Sequence, residues 1–438
     1  MKKSYFGSET FCAMPFVNLT TAADGAYRFC CIQRGTIKDK DDKQVFLDKK
    51  SPKQVWNEQT FRDVREKLIN GEEHEGCSHC YYQEKVGERS FRQNMTDEWL
   101  GKLGRPQMRK LVQQAIENNY NLFENPVYLD LKLGTLCNLK CRMCNPYNSS
   151  QIEKEQYELW DKDEDYQEAI KFDYNNKAPE IAKRSEWFEA DLFWSDIISY
   201  IPDLKKVYFT GGEPTMIKGN TEFLKYALDR DRKDIHLFFN TNCTNLNKKF
   251  LSYISEFDKV DINGSLDGHG AMNDYIRYPA KWSAVSAVFE KYAKLPNVNL
   301  GATPVLQTYN IFNIGEVVKY VEEVKYNYHR EVFIDVLLNT HPTILDVQIL
   351  PYEIRKQARD KLWNIWDKID QTHMHGSTKA GIQTALNILG KEGDHDKEKI
   401  NMFLKYTKSL DNHRKQKFSD ACPELSSYLE KNYVKSVL

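Results

Sequence analysis

Six short apolar runs, separated by longer stretches of helical pattern, constrain the fold of this 438-residue chain more than any other feature. They lie at Val127 to Leu133, Lys206 to Thr210, Ile235 to Asn240, Lys259 to Leu266, Asn299 to Leu306 and Val332 to Leu338. Parallel neighbours cannot be joined by a tight turn, so such β/α alternation predicts parallel strands with crossover helices. Six strands are too few for a closed eight-unit barrel. The pattern alone therefore leaves two architectures, a partial barrel or an open doubly wound sheet.

The flanks read differently. Residues 1–95 hold short segments, turn signals and five of the ten cysteines, which is closer to a small metal-stapled module than to a large core. Trp99, Leu100, Leu103, Met108, Leu111, Val112 and Ile116 recur at helical spacing before Pro126, so 96–126 is read as a helical connector. The α/β domain is placed at 127–345. Within it Gln151 to Glu189, charged and aromatic, is read as an inserted helical excursion over the barrel mouth. A helical extension over 346–438 steps through Ile354, Leu362, Ile365, Trp366 and Ile369. It is expected to pack against and cap the barrel, with substrate docking as the alternative.

With 62 Lys+Arg against 63 Asp+Glu, the net charge of -1 gives no bulk attraction for nucleic acid or anionic membranes. No apolar run is long enough to cross a bilayer, and Met1 to Gly7 lacks the apolar stretch of a secretion signal. A cytoplasmic location is the expectation, and in that compartment ten cysteines point to metal rather than to disulfides.

Cys137, Cys141 and Cys144 follow directly on a predicted strand, at the end where barrel active sites lie. Three thiolates do not close a tetrahedral structural zinc site. They can hold three irons of a [4Fe-4S] cube and leave the fourth open to a ligand. A zinc site completed by a distant histidine is the alternative.

The C-x3-C-x2-C loop after the first strand resembles the cluster motif of radical S-adenosylmethionine (radical SAM) enzymes, and other stations resemble that family too. Gly211-Gly212-Glu213-Pro214, after the second predicted strand, is similar to the family's GGEP motif, which receives the methionine amino group. A carboxylate matches an ammonium, and glycines permit close backbone approach; alone, the tetrad is an ordinary turn. Asn240 to Thr244 resembles the TNGT segment and supplies Asn242, while Asn263 to Gly268 resembles S-x-D-G and supplies Ser265 and Asp267. These residue types also cap helices that follow strands. Asn273 to Arg277 resembles D-x-I-R, which makes Arg277 a candidate for the methionine carboxylate, and Met143 takes the position of an apolar side chain near the adenine. Where the family often has Gly, this chain has Cys243, expected to pack.

Cys12, Gly25, Cys30, Cys77 and Cys80 resemble the opening of twitch and SPASM extensions, which hold auxiliary clusters, but here they precede the barrel rather than follow it. One auxiliary [4Fe-4S] cluster on Cys12, Cys30, Cys77 and Cys80 is implied, with structural zinc on the same thiolates as the alternative. Cys31 is either the true ligand in place of Cys30 or a spare, and His74 and His79 are expected at the surface.

The resemblance implies a partial (β/α)6 barrel of the radical SAM type. It implies reductive cleavage of S-adenosylmethionine to a 5′-deoxyadenosyl radical and hydrogen abstraction, with the auxiliary cluster accepting the electron. It also implies a reducing donor such as flavodoxin or ferredoxin, and a peptide or protein substrate, or a small molecule such as a carbohydrate. A zinc-stapled binding protein without catalysis is the reading from another class. No residue stands out as the catalytic acid or base.

Overall fold

A computed structural model describes residues 4–85, 87, 89–174, 187–372 and 374–433. The strands in chain order are β1 (Asn18–Thr21), β2 (Tyr27–Arg28), β3 (Tyr128–Lys132), β4 (Lys206–Thr210), β5 (His236–Thr241), β6 (Val260–Gly264), β7 (Val298–Ala302), β8 (Val305–Leu306), β9 (Val332–Ile334) and β10 (Leu337–Leu338). The chain divides into two compact units, the first comprising Met1–Thr135, Ala182–Phe238 and Ser252–Lys259, the second Leu136–Ile181, Phe239–Leu251 and Val260–Leu438.

In the first unit the strand order is β2-β1-β3-β4, followed by the opening residues 236–238 of β5. Strand β1 pairs antiparallel with β2 and parallel with β3, and β3 runs parallel to β4. Alternation divides the side chains between two faces. Leu129, Leu131, Val207 and Phe209 are fully buried on one, where Phe209 meets Phe223 of helix Lys218–Leu228 edge-on at 5.5 Å between ring centres. Tyr128, Asp130, Lys132, Tyr208 and Thr210 take the other, with Asp130 in register with Tyr208. The connector region forms two helices, Phe91–Leu103 and Arg105–Glu117, broken at Gly104 with its φ of 81°. Ser90 opens the first of them with a reciprocal capping box to Gln93.

In the second unit β6, β7 and β9 are parallel neighbours. The run Asn299 to Leu306 is not one strand as its apolar pattern predicts. Pro304 has no N–H to continue the ladder, so β7 ends at Ala302 and β8 pairs with β10 in a separate two-stranded sheet. The run Val332 to Leu338 divides correspondingly into β9 and β10.

The described part of the inserted excursion in this unit is the helices Ser150–Trp160 and Glu164–Asp173. They lie along helix Lys397–Arg414, where Tyr166 stacks on Tyr406 at 5.9 Å and the Ser409 hydroxyl donates to Asp163 at 2.8 Å. Residues 175–186 of the excursion, like 1–3 and 434–438, lie outside the described residues. Among the described residues no helix is long and apolar enough to cross a membrane. The α/β class with a mostly parallel sheet is as the sequence predicts.

Candidate active site

In the second unit, the loop carrying Cys137, Cys141 and Cys144 is held by its own backbone and by polar side chains. Lys140 N–H donates to Tyr278 O at 2.6 Å, Arg142 N–H to Ile276 O at 2.9 Å and Cys144 N–H to Cys141 O at 3.0 Å. Asn242 donates to Asn138 Oδ1 at 3.0 Å and lies 3.9 Å from Cys137 Sγ. Asn138 in turn donates to Thr244 Oγ1 at 2.8 Å, so the end of β5 is pinned to the loop. Burial pushes Cys141 up to about 11, against the pull of Arg277, and pushes Cys144 up to about 12, with Cys141 and Cys137 adding to it. Buried thiols of this kind become thiolates only beside a strong cation, and three of them in one loop fit a cluster with one iron left open.

Asp267 and Arg277, both predicted to line the S-adenosylmethionine site, are paired with each other. Arg277 Nε sits 2.7 Å from Asp267 Oδ2 in a buried ion pair, and Arg277 Nη1 approaches Cys141 Sγ at 3.7 Å. The other Asp267 oxygen accepts from Val305 N–H at 2.8 Å. Ser265 N–H donates to Thr241 O, and Met143 is half-buried beside Cys144. Cys243 is fully buried at a φ of 55° and packs, as expected.

Gly211 to Pro214 lie in the first unit. Gly211 has a φ of 80°, and a Cβ there would stand 3.1 Å from Lys132 Cβ and 3.2 Å from Gly134 O, so only glycine fits. Buried Glu213 accepts from both the amide and the hydroxyl of Thr215, at 3.1 and 2.7 Å, capping the turn Pro214–Met216.

The N-terminal cysteines also converge in this unit. Burial pushes Cys12 up to about 12, with Cys80 contributing; a hydrogen bond with Cys31 and burial raise Cys30, on which Cys12 also acts. Burial, Cys12 and Cys80 raise Cys77, while Cys80 is raised by burial and feels Cys31. Arg92 faces this group as its cation and is fixed to Glu84 at 2.9 and 2.6 Å and to Phe11 O at 2.7 Å. Among the described residues no group of three or more His, Cys, Asp or Glu side chains closes around a single-ion position. His79 is exposed as expected, but His74 is buried. Its Nδ1 caps the turn Glu75–Cys77 by accepting from Gly76 N–H at 3.1 Å, and its ring meets Phe29 at 5.6 Å.

Asp130 was not singled out by the sequence, although one acid inside Tyr-Leu-Asp-Leu-Lys is a visible departure from the apolar run. It is 1% exposed, and among the described residues its carboxylate oxygens lack a full hydrogen-bond complement, the Thr20 hydroxyl being the side chain that approaches them. Burial pushes it up to about 7, against the opposing influence of Lys132, Thr20, Arg28 and Lys206.

Residues 131–321 match the model of the radical SAM superfamily. Residues 131–321 therefore form a radical SAM domain, a kind of domain that works with a [4Fe-4S] cluster and S-adenosylmethionine. No curated protein matches the chain. Solved structures similar to it include Streptococcus suis SuiB bound to S-adenosylmethionine, at 12% identity and a TM-score of 0.38 over 70% of this chain and 63% of that one. The native anSMEcpe structure with bound AdoMet and Cp18Cys peptide is similar at 17% identity and a TM-score of 0.35, over 55% of this chain and 59% of that one. The Escherichia coli coproporphyrinogen III oxidase HemN is similar at 14% identity and a TM-score of 0.28, over 59% and 50%. The chain spans less than two thirds of each of these three.

Proposed function

We propose that this chain is a radical SAM oxidoreductase acting on a peptide or protein. In this reading Cys137, Cys141 and Cys144 hold the cluster that binds S-adenosylmethionine, and Cys12, Cys30, Cys77 and Cys80 hold an auxiliary [4Fe-4S] cluster. The observation that carries it is the separate gathering of two cysteine sets, one in a single loop and one drawn from distant parts of residues 1–95. When bound, these groups supply a 5′-deoxyadenosyl radical that removes a hydrogen atom and a sink for one electron.

The chain's own residues then have defined tasks. Glu213 offers a buried carboxylate for the methionine ammonium, with Gly211 and Gly212 allowing the approach. Arg277, fixed by Asp267, keeps a positive charge at Cys141 Sγ. Asp130, buried on the polar face of β3 and raised by burial to about 7, is the group suited to receive the proton that an oxidised substrate loses along with its hydrogen atom. In the second unit the exposed rings of Tyr147 and Tyr157 offer contact area that a peptide uses and a small sugar does not need. A flavodoxin- or ferredoxin-like protein is the proposed electron donor.

Iron, sulfide and zinc analysis of anaerobically reconstituted intact protein and of a Cys77→Ala, Cys80→Ala variant tests the reading. The expected result is loss of about four irons in the variant, with formation of 5′-deoxyadenosine retained. Zinc in the intact protein and unchanged iron in the variant would make the N-terminal site a structural staple instead.

A further inference from the structure

The helical extension near the chain's end makes several polar contacts with Arg142, which lies between two of the proposed cluster ligands. We infer that helix Lys397–Arg414 is a positioning element that clamps the cysteine loop through Asp411 and Tyr406. The inference rests on the reading that Cys137, Cys141 and Cys144 hold the cluster.

Both backbone groups of Arg142 are engaged, and so are Nε and Nη2 of its guanidinium, while Nη1 completes no hydrogen bond among the described residues. Its N–H donates to Ile276 O, its carbonyl accepts from the Tyr406 hydroxyl at 2.8 Å, and its fully buried guanidinium pairs with Asp411. That guanidinium also donates to Tyr275 O at 3.1 Å and Gln416 Oε1 at 3.1 Å, and lies 3.7 Å from the centre of the Tyr275 ring. Asp411 is fixed in turn by the Tyr275 hydroxyl at 2.9 Å and by Phe418 N–H at 2.6 Å. A residue held at both backbone groups and at its side chain has no torsional slack, so Cys141 and Cys144 on either side inherit its position.

The same helix makes a second tie. Arg414 donates from Nε to Glu155 Oε1 at 2.9 Å, both side chains being buried, and Glu155 stands 3.6 Å from Nζ of Lys140, the residue before Cys141. Buried ion pairs contribute little net stability compared with apolar packing of the same volume, but their directional bonds specify geometry, and here Nε and Nη2 of both Arg142 and Arg414 are bonded. Two such pairs from one helix, converging on residues 140 and 142, mark a device that sets the loop rather than a cap that only covers it.

The experiment is iodoacetamide labelling of the reduced, iron-free full-length chain, mapped by mass spectrometry. Asp411→Asn and Tyr406→Phe should each speed labelling of Cys141 and Cys144 roughly tenfold, the equivalent of one lost hydrogen bond. Cys12, Cys77 and Cys80 should label at the unaltered rate, and Asp411→Glu should restore protection. In the reconstituted protein Asp411→Asn, which leaves Arg142 uncompensated, should raise the midpoint potential of the loop cluster, whereas Tyr406→Phe should not. Unchanged labelling of the loop, or equal acceleration at the N-terminal cysteines, overturns the inference. Should Asp411→Asn not fold, Tyr406→Phe decides alone, since it removes a single hydroxyl. The labelling reports on the loop whether or not it binds iron; failure of the cluster reading would appear separately, as a loop that takes up none.

Discussion

Replacing Asp130 by Asn should stabilise the protein, and by an amount that grows with pH. A carboxyl held at about 7 in the folded chain keeps its proton over a range in which the unfolded chain, with an ordinary value near 3.9, has already released it. Below about pH 4 both states are protonated and the group costs nothing. As pH rises toward 7 the folded state must either hold a proton that the unfolded state has shed or bury a charge without a full hydrogen-bond complement, so stability is lost. Linkage gives a cost of about 2 kcal/mol at pH 5 and about 4 kcal/mol at pH 8. Asn keeps the shape and carries neither penalty. Urea unfolding of the reduced apo chain at the two pH values should therefore show the advantage of Asp130→Asn growing by about 2 kcal/mol from pH 5 to pH 8. An advantage that is constant, or that shrinks over this range, would mean that Asp130 is ionised and well paired in the folded chain. The assignment of Asp130 as a poised proton acceptor would then fail.

Other substitutions report on separate parts of the site. Gly211→Ala forces a Cβ to 3.1 Å from Lys132 Cβ at a φ of 80°, which should cost about 1–2 kcal/mol in urea unfolding and weaken binding of S-adenosylmethionine in calorimetry. Asp267→Asn keeps an acceptor for Val305 N–H but leaves Arg277 buried without its counter-charge. A loss of about 3 kcal/mol of unfolding free energy is expected, with Leu266→Val as the packing control.

Much of the architecture was readable because strands β3 to β7 and β9 are apolar runs of ordinary length bounded by polar segments. Strands β1 and β2 were not, because Asn18-Leu19-Thr20-Thr21 and Tyr27-Arg28 are too short and too polar to show a period, and their burial comes from pairing with each other and with β3. The division of Asn299 to Leu306 was signalled by Pro304, whose effect a hydropathy pattern does not register. The loop cysteines and Gly211 were legible because their spacing is local. The partners of Arg142 were not, since Asp411 lies 269 residues away and nothing in either neighbourhood points to the other. Likewise, the pairing of Asp267 with Arg277 depends on how the segment after β6 folds back. His74 shows the same limit: a histidine among glutamates reads as exposed, whereas its ring is drawn inward by Phe29 and the cap on Gly76.

The most direct measurement is dithionite-dependent formation of 5′-deoxyadenosine, together with iron content, in the intact protein and in a Cys137→Ala, Cys141→Ala, Cys144→Ala variant. The account predicts that deoxyadenosine forms only in the intact protein, while about four irons persist in the variant on the N-terminal cysteines. Deoxyadenosine formation by the variant, or none from intact protein fully loaded with iron, would contradict it.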